Sequence, residues 1–183
     1  MVAVFLADGF EEIEAVAPTD ILRRAGVEVR TVGVGGRVVT GSHGIPLTAD
    51  LTADALDPEK PEMIVLPGGM PGARNLERSD AVQRCIDAAA RRGAWIAAIC
   101  AAPFILGHRG LLRGRRAVCY PGYEPELAGA EIGGGPVCCD GRFITGNGPG
   151  AAFAFGLLLA GKLAGGEKAE EIRRGMQISP EGR

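Results

Sequence analysis

Three stretches of this chain are apolar almost without a break: VAVFLA at 2–7, EMIVLP at 62–67 and AWIAAI at 94–99. A strand that is apolar on both faces has no side to offer water, so it must lie in a sheet covered from both sides. Between these runs the pattern changes to helical spacing. EEIEAVAPTDILRRA at 11–25 is closed by Gly26, and DAVQRCIDAAARR at 80–92 has Ser79 as its N-cap and Gly93 as its stop. Such alternation predicts an α/β fold, a mostly parallel sheet with helices on both faces.

The other segments fit around that frame. VEVRTV at 27–32 reads as a second strand, and RVVT at 37–40 with IPLTAD at 45–50 as a hairpin. GGMPG at 68–72 reads as a turn, and AAPFILGH at 101–108 opens a helix directly after Cys100. A short strand at 115–119, an irregular Gly/Pro-rich stretch at 121–136 and a hairpin at 137–145 follow. Helices at 150–164 and 167–174 end the pattern. No repeat, linker or low-complexity tract divides residues 1–183, which predicts a single domain.

Charge and cysteine usage narrow the function classes. Twenty basic and 22 acidic residues leave a net charge of −2, with no electrostatic footprint for nucleic acid or an anionic membrane. The longest apolar stretch, AAFAFGLLLA at 151–160, is half of the roughly 20 residues that span a bilayer. Met1 runs straight into the first strand without a targeting signature. Cys85, Cys100, Cys119, Cys138 and Cys139 are odd in number and lack C-x-x-C spacing. That pattern argues against a disulfide framework and a zinc site, and for a reducing cytoplasm. Apart from Cys100, these cysteines read as small buried thiols.

Open α/β sheets place their chemistry at the carboxyl ends of the strands. A dinucleotide site needs G-x-G-x-x-G after the first strand; here that turn is ADGFEE, with two carboxylates where a pyrophosphate would sit. Cys100 lies between a buried strand and a helix start, flanked by alanines that permit a sharp turn, as at a nucleophile elbow. The helix N-terminus is expected to lower its thiol pKa. Glu14 falls on an apolar helical stripe with Phe10, Ala17 and Ile21, where burial raises a carboxyl pKa. Glu11 and Glu12 read as solvated or interface residues of the same first turn. Of the two histidines, His108 is eight residues past Cys100, about 12 Å along a helix, and is no base for it. His43, in TGSHGI, could reach a crevice or a second subunit.

In this order the segments ADGFEEIEA, PTDILRRAG, IVLPGGMPGARNL, IAAICAAPFIL and ITGNGPGAAFAFGLLL resemble the ThiJ/PfpI superfamily, most of all its parkinsonism-associated deglycase branch. The resemblance spans essentially the whole chain. It implies a flavodoxin-like sandwich, a homodimer, a reactive Cys100 and a protonated Glu14 beside it. It further implies an anion pocket lined by the amides of Gly69 and Ala101, and an interface position for Arg24. No metal or organic cofactor is implied. The protease branch carries His directly after the cysteine, where this chain has Ala101, so peptidase activity is not expected. In the deglycase branch a His often precedes the Pro after the next strand; here that residue is Tyr120, a weaker general base. The resemblance implies a cysteine-dependent glyoxalase or deglycase acting on reactive carbonyls or their adducts. The alternative is a non-catalytic stress protein whose Cys100 oxidises to sulfinate.

Overall fold

The computed structural model describes residues 1–179. Its centre is a seven-stranded sheet, entered by β1 (Val2–Leu6). Helix α1 (Glu12–Arg24) returns the chain to β2 (Val29–Gly33), which pairs parallel to β1 from Val2 opposite Val29 to Leu6 opposite Gly33. A hairpin of β3 (Val38–Thr40) and β4 (Pro46–Thr48) stands apart, and β5 (Leu51–Thr52) forms the sheet edge. The inner strands β6 (Met63–Leu66) and β7 (Trp95–Ile99) are separated by α2 (Gly72–Arg78) and α3 (Asp80–Arg92). Helix α4 (Pro103–His108) follows Cys100. Next come the small parallel pair β8 (Arg116–Ala117) and β9 (Glu131–Ile132), then the antiparallel hairpin β10 (Val137–Asp140) and β11 (Phe143–Gly146). Helices α5 (Ala152–Ala164) and α6 (Gly166–Gly175) complete the described chain.

Strand order in the large sheet is β10-β11-β7-β6-β1-β2-β5, parallel except for the β10–β11 pair. This is the flavodoxin-like doubly wound arrangement. Side-chain alternation divides the core between the two faces. Ala3, Phe5 and Ala7 pack with residues of α2, α3 and α4, while Val2, Val4 and Leu6 pack with residues of α1, α5 and α6. Each fully buried large side chain, such as Phe5 or Ile64, contributes roughly 1.5–3 kcal/mol. The second face closes where α1 meets α5 at Gly156. A Cβ there would lie 2.7 Å from Ile21 Cδ1 and 3.0 Å from the Pro18 Cα, so a glycine lets the helices touch.

Ser79 caps α3 by accepting from the Val82 N–H, and Gly93 ends it at φ +67°, both as the sequence predicts. Two expectations need correction. The turn expected at 68–72 ends one residue early, and a helix that the sequence pattern leaves unassigned, Gly72–Arg78, follows it: the Gly and Pro residues that set up GARNLER hide it from a propensity reading. Cys138 and Cys139 are half-buried rather than buried, because β10 is an edge strand with one flank open. Cys85 and Cys119 are buried, and all five thiols are free.

Strand order turns back at β1, whose chain successors lie on opposite sides of it: β2 on one, β6 on the other. The crevice at such a switch point is where open α/β sheets bind ligands. Here it is bounded by the Gly9–Glu11 turn, the Gly68–Gly69 turn and Cys100.

Candidate active site

Cys100 sits on that crevice with a backbone conformation that few side chains adopt, φ +63°. Left-handed backbone at a non-glycine residue costs of order 1–3 kcal/mol and persists only where its surroundings fix it. They do so from two sides. The Cys100 N–H donates to the Gly146 carbonyl at 2.9 Å, at the end of β11, and its own carbonyl accepts from the Tyr120 N–H at 2.8 Å. The result is a strained strand-to-helix turn that lifts the sulfur toward the turns that follow β1 and β6.

Glu14 meets it there. Its side chain is fully buried, and Oε2 accepts the Gly68 N–H at 2.8 Å. Oε1 has no hydrogen-bond partner in the protein, although the Cys100 sulfur is close enough to couple to the carboxyl. Gly68 permits this approach: a Cβ there would stand 2.7 Å from both the Cys100 Cβ and Glu14 Oε2. Gly69, at φ +83°, is tight against Gly9 and Glu11 in the same way, and this folds its N–H toward the sulfur.

Burial pushes the Glu14 carboxyl up to about 7, with the nearby Glu11 charge adding and the Cys100 and Gly68 hydrogen bonds opposing. With Glu14 ionised, burial first and then the carboxylate push the Cys100 thiol up to about 12, against the Ala101 and Gly69 amides. This corrects the expectation of a thiol lowered by its helix. Helix α4 has only six residues, so two local amides rather than a long dipole act on the sulfur. The two groups titrate as a coupled pair, which keeps one shared proton once the first is lost near pH 7. When that proton is on Glu14, the carboxylate's repulsion disappears, the orphaned Oε1 can carry an O–H, and the amides remain to hold a thiolate.

The other anticipated residues separate. Tyr120 is one backbone hydrogen bond from Cys100; its ring lies against Gly148 and is about half exposed. His43 does not reach the sulfur. Its Nδ1 is 2.9 Å from Glu12 Oε2 and 3.5 Å from Glu11 Oε1, on the rim of the crevice. Arg24 pairs with Asp20 at 2.8 Å on the exposed side of α1 and takes no part in the pocket.

Of the two roles expected for Glu12, solvated or interface residue, the structure excludes the solvated one. It is buried and accepts from the backbone N–H groups of His43 at 2.8 Å and Ile45 at 3.4 Å. Burial pushes its pKa up, but the hydrogen bonds from the His43 ring and these amides outweigh that and hold it at about 2. Gly41 makes room, since a Cβ there would fall 2.2 Å from Glu12 Oε1. A single acidic residue thus anchors the loop that carries His43. Glu11, Glu12 and His43 bring potential metal-ligand atoms within 4.8 Å of one another, but the Glu12 oxygens are engaged in holding this loop.

The whole of this arrangement lies inside a segment, residues 1–162, that matches the DJ-1/PfpI family model. The chain belongs to the DJ-1/PfpI family. Relatives found within it include DJ-1-like proteins. Protein dj-1beta of Drosophila melanogaster is 36% identical over 179 residues, 96% of each chain. A Pyrococcus abyssi protein named a deglycase is 33% identical over 159 residues, 84% of this chain and 93% of its own. The solved structure of oxidized Toxoplasma gondii DJ-1 superposes with a TM-score of 0.94 at 36% identity, covering 98% of both chains. Among the described residues of this DJ-1/PfpI chain, no helix is long and apolar enough to cross a membrane.

Proposed function

We propose that this protein is a cysteine-dependent glyoxalase or deglycase of reactive dicarbonyls or their early adducts. One observation carries the reading: a sulfur on a strained turn faces a fully buried carboxyl of raised pKa and two backbone amides. In the reacting form Cys100 is the thiolate and Glu14 the acid. The sulfur adds to the aldehyde carbon of a 2-oxoaldehyde, forming the C–S bond as the carbonyl π pair moves to oxygen. The amides of Gly69 and Ala101 hold that oxyanion, and Glu14 protonates it to a hemithioacetal. Glu14, now a carboxylate, takes the proton from that carbon and returns it to the neighbouring carbon, while the hydroxyl proton passes to the former ketone oxygen, leaving the thioester of the 2-hydroxy acid. Water then cleaves the thioester to a hydroxy acid and the free thiol. Oxygen and hydrogen balance with one water consumed and no redox partner, and no cofactor is invoked.

The name of the Pyrococcus relative supports this reading at the level of the family's chemistry. The test is direct. Methylglyoxal incubated with the protein should yield lactate by proton NMR, and the Cys100→Ala variant should yield none above the uncatalysed rate. Equal lactate from both proteins would remove Cys100 from the reaction.

The unpartnered Glu14 Oε1 also favours a second reading, as a donor to an oxidised sulfur. Two equivalents of hydrogen peroxide would take the Cys100 thiolate to sulfinate, each peroxide leaving as water or hydroxide. Absence of lactate together with selective gain of two oxygens at Cys100 would support that role.

We also place the protein in a reducing cytoplasm, as its five free thiols suit, and propose that it is a homodimer. Ile13 and Val16 on α1, Ile45 beside β4 and Phe153 on α5 are all more than a third exposed. With Ala17 and Leu47 they line one shallow apolar surface bordered by Glu12 and Asp20. A patch of this kind is what an isologous two-fold contact covers. Light scattering at micromolar concentration should give twice the 18.9 kDa chain mass, and Val16→Lys should return it to the single-chain value. A parent protein that already runs at 18.9 kDa would refute the dimer.

A further inference from the structure

His108 lies outside the pocket, on the last turn of the helix that begins behind Cys100, and both of its ring nitrogens are engaged. Nδ1 is 2.6 Å from Glu77 Oε1 at the end of α2, and Nε2 is 2.6 Å from Glu126 Oε2. A neutral imidazole has one N–H and one bare nitrogen, which would set a lone pair against one of the carboxylates. The doubly protonated ring satisfies both contacts at once while both carboxylates stay ionised.

Glu126 belongs to a 3-10 turn, Glu124–Glu126, that closes the segment starting at Tyr120. That segment begins on the nucleophile, with the Tyr120 N–H on the Cys100 carbonyl, and is wound by Tyr123 N–H to Tyr120 O and Glu126 N–H to Tyr123 O. It lies directly on α4. A Cβ on Gly107 would fall 2.2 Å from the Glu126 carbonyl, and the Tyr123 ring stacks on Phe104 with centroids 6.1 Å apart. Phe104 in turn packs at 5.2 Å from the His108 ring.

We propose that His108, as an imidazolium, is a positioning residue for the mouth of the Cys100 pocket: it ties α2 and α4 to the Tyr120–Leu127 segment that rims the sulfur. This rests on the reading of Cys100 as the reacting group, but the tie itself does not. The charged groups facing the ring are Glu77 from α2 and Glu126 from the 3-10 turn. Arg74, the next charge along, sits over the Phe104 ring at 5.9 Å. The Glu126 hydrogen bond leads in raising the His108 pKa above 6.5, opposed by desolvation and reinforced by Glu77. The stabilisation is therefore complete below pH 6.5 and fades as pH rises through the folded value. His108 is 40% exposed on its side chain, so solvent screens the pairs and the effect is modest.

Amide hydrogen exchange reads the tie without reference to catalysis. In the parent protein the protection factors of Tyr123, Glu126 and Leu127, corrected for intrinsic exchange, should fall roughly 3- to 10-fold from pH 5.5 to 8.5. His108→Gln should sit at the low level throughout, and His108→Arg, which keeps a cation in place, should hold the high level across the range. If the fall with pH persists in His108→Gln, or that variant matches the parent at pH 5.5, the proposal is wrong. Where methylglyoxal turnover is measurable, KM should rise with pH in the parent more than in His108→Arg, with kcat little changed. A protein without turnover but with the exchange pattern would retain the tie and lose the enzymatic reading.

Discussion

At pH 8 the Glu14→Gln variant is expected to be more stable than the parent protein, measured against their difference at pH 4.5, by roughly 3 kcal/mol. Glu14 is fully buried, and its carboxyl is raised from 4.5 to about 7. Below pH 4.5 the folded and unfolded chains both carry it neutral. Between 4.5 and 7 the unfolded chain releases a proton that the folded chain still holds, so stability falls across that window and levels off above it. A raise of about 2.5 units corresponds to roughly 3 kcal/mol at 1.36 kcal/mol per unit. Glutamine has no such titration, yet its carbonyl still accepts the Gly68 N–H and its amide still faces the sulfur. It also cannot pass a proton, so any methylglyoxal turnover should drop by about 10²–10⁴-fold. Urea unfolding of both proteins at pH 4.5, 6 and 8 separates these effects, because slopes from other groups are shared and cancel. Parallel stability profiles would show that Glu14 ionises normally in the folded state, and the proton-sharing account of the pocket would fail.

Glu14 is also the residue at which the sequence was most legible. A carboxylate on the stripe of Phe10, Ala17 and Ile21 conflicts with its surroundings, and the structure resolves the conflict by giving it one amide and a neighbouring sulfur. The strands were equally plain. The alternation that sends Val2, Val4 and Leu6 to one face and Ala3, Phe5 and Ala7 to the other is covered on both sides, as a doubly apolar run requires. What stayed hidden depends on partners far along the chain. Glu12 looks like any acidic residue of a first turn until the loop 31 residues later folds its amides onto it. Nothing local to His108 announces Glu77 and Glu126, which lie 31 and 18 positions away. The thiol of Cys100 shows the same limit in its energetics. Its place at a strand-to-helix turn was readable, but its pKa is governed by burial and by Glu14, which arrives from another helix.

Replacing Tyr120 with His should raise methylglyoxal turnover by about 10- to 100-fold. The resemblance implies that a histidine often stands at this position in the deglycase branch, and here the backbone of the residue is bonded to that of Cys100. The Tyr120 N–H is bonded to the Cys100 carbonyl at 2.8 Å, which fixes where its side chain begins. The ring leaves that point along Gly148, with Cδ2 3.3 Å from where a Cβ on Gly148 would stand, and is 46% exposed at the mouth of the crevice. A phenol there can donate a hydrogen bond to a bound carbonyl, but it accepts a proton far less readily than an imidazole at neutral pH. Glu14 must then serve alone as both acid and base. A second group near pH 7 would share that work, and one well-placed acid or base is worth about 10²–10⁴-fold, of which an unoptimised His should recover the lower part. The gain should appear in kcat with an added pH dependence near the imidazole range, while the rate of Cys100 alkylation by iodoacetamide stays close to that of the parent. A rate unchanged or lowered, with Cys100 still alkylated, would mean that the Tyr120 side chain does not face the reacting carbonyl. The sulfinate role of Cys100 would then account better for the paired thiol and buried carboxyl of the pocket than turnover does.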